Sequence, residues 1–342
     1  MWFVMISIKL IGKNDELLWK EYFTVSQEIH KRHYTEGYNP DLTFAEFKEL
    51  MGADSESSSF KKQFLVVVDN NITGWFDCTE YEKTLYFMYD FNREDLNEPE
   101  LKFILQKVLQ FTGETKCTHA ELLTYRKIML DHFFSIHAPV AEKILISRLR
   151  REEMDVSFYK KIVAESTPVD LELRHFNEIP EEFINDFVKS VNECFEDRDK
   201  LSDIQNHYPP LTPGEWYKDK ERLSEEGTKL EYLVLFDRNK IAGLCWVCVD
   251  QYRKDLIRHS GGFTAVNRAY RGRGLARYLK ARMYIRLLDE NKDFRYISTD
   301  TMPWNTYMYN INREFGFKPH KNGCAFKLTA GFLETYLNKC TG

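Results

Sequence analysis

No hydrophobic run in this chain is long enough to cross a bilayer. The longest, Ile241 to Val249, falls far short of the roughly 20 residues a membrane helix needs. The opening residues Met1 to Ile6 are too few for the apolar core of a signal peptide; Ile6, Ile8 and Leu10 alternate with Ser7 and Lys9 and read as a strand. Sixteen glycines and ten prolines in 342 residues are too few for a fibrous repeat. Positive charge is not in excess: 48 Lys and Arg against 53 Asp and Glu leave a net charge of −5, which argues against a nucleic-acid partner. The seven cysteines are odd in number and scattered, the pattern of reduced thiols in a cytoplasmic protein. No second C-x-x-C accompanies Cys245-Trp246-Val247-Cys248, and residues three apart on a strand face opposite ways, so these are expected to be core cysteines. His30 and His33 could share a helix face, but no third ligand is near in sequence, and no metal is expected.

What is present is an ordinary globular composition, 43% apolar, with a length that favours two domains. Two segments echo each other. Leu42-Thr43-Phe44-Ala45-Glu46-Phe47 parallels Leu211-Thr212-Pro213-Gly214-Glu215-Trp216, and Leu65 to Gly74 parallels Leu233 to Gly243. Both echoes keep one order and nearly one offset, which suggests duplication. The second has the form of a β-hairpin, an apolar run either side of an Asp/Asn turn.

The first half reads as a strand at 5–10, helices at 14–32 and 43–51, a hairpin at 62–78, a strand at 84–91, a helix at 100–111, a strand at 119–125, a helix at 127–135 and a strand at 141–150. The second reads as a strand at 169–175, helices at 180–195 and 213–226, a hairpin at 230–250, a strand at 256–266, a helix at 274–290, a strand at 295–300, a helix at 305–315, a strand at 323–329 and a short terminal helix. This mixture predicts an α/β (α+β) chain with a mixed, mostly antiparallel sheet flanked by helices in each half. Ala164-Glu165-Ser166-Thr167-Pro168 has linker chemistry, which places the domains at 1–163 and 168–342.

One stretch stands apart, Val266-Asn267-Arg268-Ala269-Tyr270-Arg271-Gly272-Arg273-Gly274-Leu275-Ala276-Arg277. A strand ends, a basic turn with two glycines follows, and a helix begins with Leu275, Leu279, Met283 and Leu287 on one face. Glycine permits close backbone approach, and a first helical turn offers free N–H groups and a positive dipole end, the elements of a diphosphate cradle. Arg268, Arg271, Arg273 and Arg277 are expected to add positive charge. The Walker pattern is missing, as is the third glycine of a dinucleotide fingerprint. About thirty residues on, Asn305 can cap a helix bearing Met308, Ile311 and Phe315, and Gly316 can close it.

In this order and spacing the two segments resemble the GNAT N-acetyltransferase superfamily. Arg271-x-x-Gly274-x-Ala276 matches its acetyl-coenzyme A signature, and Asn305 to Phe317 matches the helix after the next strand. The resemblance covers about 168–330 and reaches the first half through the echo and the element order, so the chain looks like a tandem member. It implies acetyl-coenzyme A as co-substrate, with Thr264, Ala265 and Val266 aligning the pantetheine arm. Arg271, Gly272, Arg273, Gly274, Leu275 and Ala276 would lie around the diphosphate, and Asn305 and Asn312 on the following helix. Ser260-Gly261-Gly262 reads as a bulge that splays neighbouring strands.

The matching place in the first half is acidic. Asp90, Glu94, Asp95, Glu98 and Glu100 crowd it, no glycine opens the backbone, and only the second half is expected to bind coenzyme A. Transfer to an amine needs a base, an oxyanion donor and a way for the thiolate to leave. Many relatives carry a tyrosine four residues before the Gly-Phe pair; here that position is Asn312, with Tyr309 one turn earlier as the substitute acid. His259 and Asp300 are the candidate bases. The resemblance places 192–217, with Phe195, His207, Tyr208, Trp216 and Tyr217, beside the acceptor.

The function expected is acetyl-coenzyme A-dependent N-acetylation of a small-molecule amine by a cytoplasmic monomer or homodimer, without nucleic acid or membrane. Acyl or aminoacyl transfer on the same fold, and a non-catalytic acyl-coenzyme A sensor or scaffold, are the competing readings.

Overall fold

In a computed structural model of the chain, residues 5–33, 42–52, 60–81, 83–201, 210–225, 227–290 and 293–339 are described. The first half runs β1 (Ile6–Leu10), α1 (Glu16–His33), α2 (Phe44–Gly52), β2 (Lys61–Val68), β3 (Asn71–Tyr81), β4 (Thr84–Phe91), α3 (Glu98–Thr115), β5 (His119–Thr124), α4 (Lys127–Ser135) and β6 (Val140–Arg150). The second runs α5 (Val156–Ser166), β7 (Glu172–Phe176), α6 (Ile184–Leu201), α7 (Pro213–Glu225), β8 (Thr228–Asp237), β9 (Lys240–Asp250), β10 (Leu256–Val266), α8 (Leu275–Glu290), β11 (Tyr296–Thr301), α9 (Thr306–Glu314), β12 (Lys318–Thr329) and α10 (Ala330–Lys339). Among the described residues no helix is long and apolar enough to cross a membrane.

The elements form two compact units, residues 1–143 with 322–342, and residues 144–321. This division differs from the 1–163 and 168–342 boundaries read from sequence, because each half ends in a strand that finishes the other unit's sheet. In the first unit the strand order is β1-β2-β3-β4-β5-β12 and in the second β7-β8-β9-β10-β11-β6. Cys324 to Thr329 of β12 pair with β5, and Leu145 to Arg150 of β6 pair with β11. The supposed linker is also helical. Asp155 caps α5 by accepting the Phe158 N–H at 3.0 Å, and the helix buries Tyr159 and Ile162 before stopping at Ser166.

The duplication is visible at the level of register. In the first unit β2 and β3 shift register between Val66 and Val67; in the second β8 and β9 shift between Leu235 and Phe236. Gly74 sits opposite Phe91, the last residue of β4, and Gly243 opposite Val266, the last residue of β10. A Cβ on Gly74 would stand 2.2 Å from the Asp90 carbonyl oxygen, so the close approach is available only to glycine there. Asp69 and Asn70 both have positive φ, as the tight β2–β3 hairpin turn demands.

Each sheet is covered on both faces, which is why its central strands read as nearly unbroken apolar runs. In the first unit α3, α4 and α10 cover one face around Phe76, Phe87 and Leu105, and α1 and α2 cover the other around Tyr22, Phe47 and Trp75. In the second, α5, α8 and α9 pack on one face with Leu279, Met283 and Phe315, and α6 and α7 on the other with Phe187, Trp216 and Trp246. Cys245 joins the first of these cores and Cys248 the second, as their spacing on β9 requires.

Candidate active site

The site is prepared by β10. Leu256 to Arg258 pair in parallel with Tyr296 to Ser298 of β11, and antiparallel pairing to β9 then jumps from Arg258–Cys248 to Phe263–Trp246. The extra residues of this bulge include Ser260, Gly261 and Gly262. A Cβ on Gly262 would lie 2.3 Å from the Trp246 carbonyl oxygen, so the glycine lets the two backbones touch. Beyond the bulge, Thr264, Ala265 and Val266 pair with Cys245, Leu244 and Gly243 of β9, and the pairing to β11 is not resumed. The two strands therefore open into a fork with one edge of β10 facing it.

At the end of the fork β10 passes into a short 3₁₀ turn at Arg268–Tyr270, and then into Gly272 and Gly274 with φ of +79° and +74°. These left-handed residues aim the backbone into the first turn of α8, whose leading N–H groups have no acceptor within the helix. Leu275, Leu279, Met283 and Leu287 are buried and fix the helix beneath the turn.

The arginines do not behave as the sequence suggested. Arg268 pairs with Asp197 at 2.7 Å and Glu196 at 3.0 Å, Arg271 with Asp197 at 2.6 Å, Arg273 with Asp170 at 2.5 Å, and Arg277 with Glu314. Hydrogen bonds from Arg268 and Arg271 hold Asp197 down at about 2. The four guanidinium groups are thus largely neutralised by α6, α9 and the segment before β7.

His259 is 4% exposed, below the bulge. Its Nδ1 lies 3.0 Å from the Tyr284 hydroxyl and its Nε2 2.9 Å from the Thr264 hydroxyl. Burial, with the charge of Lys280 nearby, pushes its pKa well down, so the ring is neutral and both nitrogens are engaged. Asp300, near the end of β11, keeps an exposed side chain, yet desolvation raises its pKa despite a backbone hydrogen bond and Lys280.

Asn305 spends its side chain as the cap of α9, accepting the Met308 N–H at 3.1 Å, and Gly316 closes that helix with φ +93°. Asn312 is 2% exposed and points inward: its Nδ2 donates to the Thr301 hydroxyl at 2.9 Å and its Oδ1 accepts from the Lys280 ammonium. Tyr309 is half-buried on α9, with the Arg313 guanidinium 5.9 Å from its ring centre. The structure thus brings His259 to Thr264, Arg271 to Val266, and Asn312 to Lys280. It does not set Asn305 or Asn312 free to face a ligand.

Of the aromatic acceptor segment, Trp216 is core, 4.8 Å from Phe187 between ring centres, and Phe195 packs edge-on to Phe263 of the bulge at 5.5 Å. Tyr217 is exposed. His207 and Tyr208 lie outside the described residues. Among the described residues no group of His, Cys, Asp and Glu is arranged to hold a metal ion.

Sequence reasoning missed Lys280, Tyr284, Thr301 and Asp197. Lys280 had a signal: it stands four residues from Ala276 and from Tyr284, within the buried stripe of α8, where an apolar residue belongs.

The matching place in the first unit is filled by the protein itself. The carboxylate of Glu100, in the first turn of α3, is fully buried; it accepts from the Tyr89 hydroxyl at 2.6 Å and the Thr73 hydroxyl at 3.4 Å and pairs with Arg93. Asp90 pairs with buried Arg126 at 2.6 Å, and Arg126 also donates to the carbonyls of Phe91 and Arg93. The acidic cluster that crowds this place in the sequence is therefore neutralised at its two buried members, Asp90 and Glu100.

Compared with known proteins, residues 198–317 match the acetyltransferase (GNAT) family. No curated protein sequence matches the chain significantly. Among solved structures, a tandem GNAT protein from the clavulanic acid biosynthesis pathway, crystallised without acetyl-coenzyme A, is similar at a TM-score of 0.75 and 11% identity, covering 96% of this chain and 99% of that one. A GCN5-related N-acetyltransferase from Sphaerobacter thermophilus gives a TM-score of 0.61 at 14% identity over 95% and 96% of the two chains. A GNAT-family acetyltransferase from Colwellia psychrerythraea gives 0.51 at 12% over 94% and 100%.

Proposed function

We propose, for a chain that carries a GNAT acetyltransferase domain within tandem GNAT architecture, that it transfers the acetyl group of acetyl-coenzyme A to a primary amine of a small molecule, and does so in the second unit alone. The observation that carries this reading is the fork between β10 and β11 leading directly into the two left-handed glycines at the start of α8. The open edge of Thr264 to Val266 suits the amide groups of a pantetheine arm. The N–H groups from Gly272 to Ala276 suit its diphosphate. The co-substrate supplies an activated thioester when bound.

The chain's own residues then have separable tasks. A backbone N–H at the edge of β10 polarises the thioester carbonyl. Asp300 takes the proton released by the attacking amine; its raised pKa brings it closer to the range of an effective base. His259, neutral and doubly hydrogen-bonded, holds the bulge to α8 and so positions Thr264. Tyr309 stands as the nearest candidate acid on α9. In the first unit Glu100 and its partners stand in for the anion, so that unit binds no coenzyme A.

A binding-only protein is the second reading, favoured by one observation: Asn312 occupies the place of the expected tyrosine and is turned into the core. The test joins calorimetry with thiol release over a panel of amines. One acetyl-coenzyme A per chain and thiol release with at least one amine are expected. Two equal sites would overturn the assignment to the second unit, and binding without thiol release on any amine would establish the sensor.

A further inference from the structure

Lys280 is the only buried lysine among the described residues, at 1% exposure. Its ammonium donates to Asn312 Oδ1, lies 3.9 Å from the Met308 sulfur, and sits 5.4 Å and 5.9 Å from the ring centres of Phe317 and Tyr284. The charged and titratable groups that face it are Asp300 from β11, Cys245 from β9, His259 from β10 and Tyr284 from α8 itself. Nearer the start of α8, Arg277 is taken up by Glu314 of α9. Among the described residues no carboxylate lies within ion-pair distance of Lys280.

An ammonium buried with a neutral amide as its hydrogen-bond partner, and with no carboxylate in ion-pair range among the described residues, is costly to desolvate. A methionine would fill the same space at no such cost. Burial pushes Lys280 down to about 8, so it remains charged at neutral pH. Such a charge is suited to an anion that appears only transiently. Acetyl transfer as read above would produce one. Thr264, on the edge assigned to the pantetheine arm, hydrogen-bonds His259 and reaches Cys245 Sγ at 3.4 Å, and both of those groups lie in the field of Lys280.

We propose that the Lys280 ammonium, positioned by Asn312, is the countercharge for the thiolate that departs during acetyl transfer, an inference that rests on the acetyl-coenzyme A reading above. The amine nitrogen forms its bond to the carbonyl carbon. The carbon–sulfur bond breaks with its electron pair left on sulfur. The attacking nitrogen gives up one proton to Asp300 or water and keeps the other as the amide N–H. Lys280 keeps its own proton and balances the charge on sulfur.

The test reads ionisation of the coenzyme A thiol while bound, from the ultraviolet absorbance of the thiolate, with desulfo-coenzyme A as the blank. In the unaltered protein the bound thiol should ionise at least about tenfold more readily than free coenzyme A, a shift of one pKa unit. Lys280→Met should return it to the free value, and Lys280→Arg should keep the shift. Asn312→Asp, which gives the ammonium a permanent partner, should abolish the shift and serves should Lys280→Met not fold. An unshifted bound thiol in the unaltered protein, or a shift that survives both Lys280→Met and Asn312→Asp, overturns the proposal while leaving acetyl transfer standing. Failure to bind coenzyme A at all removes both.

Discussion

Arg271 ties the end of β10 to α6: its Nε donates to the Val266 carbonyl at 2.9 Å and its Nη1 to Asp197 at 2.6 Å. One side chain thus braces the strand that would carry the pantetheine arm, and the same side chain is held by a carboxylate that would compete with a diphosphate.

Replacing Asp197 with Asn removes that competitor and leaves the strand brace intact. Coenzyme A binding, measured by calorimetry at low salt, should tighten about two- to fivefold, the range expected of a partly exposed ion pair. The gain should fade as salt rises, because exposed charges are screened. Unchanged or weaker binding of the variant at low salt would count against the cradle as the diphosphate site.

The two glycine sites should respond differently to alanine. At Gly272 a Cβ meets nothing within 4 Å, so the cost is that of the left-handed backbone, about 1 kcal/mol. At Gly262 the Cβ would meet backbone of β9, and the bulge must shift. Urea unfolding should show a clearly larger loss for Gly262→Ala. Coenzyme A affinity should fall in both. Equal losses of stability would mean that the bulge is not the tightly packed feature described above.

In the first unit the Tyr22 hydroxyl donates to Asp77 at 2.6 Å, and burial raises Asp77 to about 7. A carboxyl raised on folding binds its proton more tightly in the native state. Its contribution is therefore complete below about pH 4 and is lost as pH rises through 7, a change on the order of 4 kcal/mol. Asp77→Asn should remove this slope. Denaturant unfolding at pH 5 and pH 8 checks it, and identical pH dependence in both proteins would refute the assignment.

Much of the fold was legible because apolar spacing and turn residues carry it. The Asp69-Asn70 hairpin, the β10 bulge, the Asn305 cap and the buried stripe of α8 all emerge where local patterns put them. Helix α5 was missed because its final residues, Glu165 and Ser166, run into Thr167 and Pro168 and read as punctuation, although Asp155, Phe158, Tyr159 and Ile162 spell a capped amphipathic helix. The exchange of β6 and β12 was illegible: strand partnership between distant segments leaves no mark in local periodicity. The site divides the same way. The glycines of the turn are a local signal, whereas the carboxylates that pair with its arginines lie as far as 103 residues away, as with Asp170 and Arg273. The inward turn of Asn312 depends on Lys280, on another helix.

The exchanged strands also govern how the chain is made. The first unit includes residues 322–342, so β5 has its partner β12 only after synthesis has passed Thr329, some two hundred residues later. Until then an edge of that sheet is unpaired, a hazard for aggregation. The second unit in turn takes β6 from the first half. A truncation between the halves would leave two incomplete sheets instead of one working domain. The first half is for this reason not dispensable: deleting it would remove β6 from the sheet of the second unit.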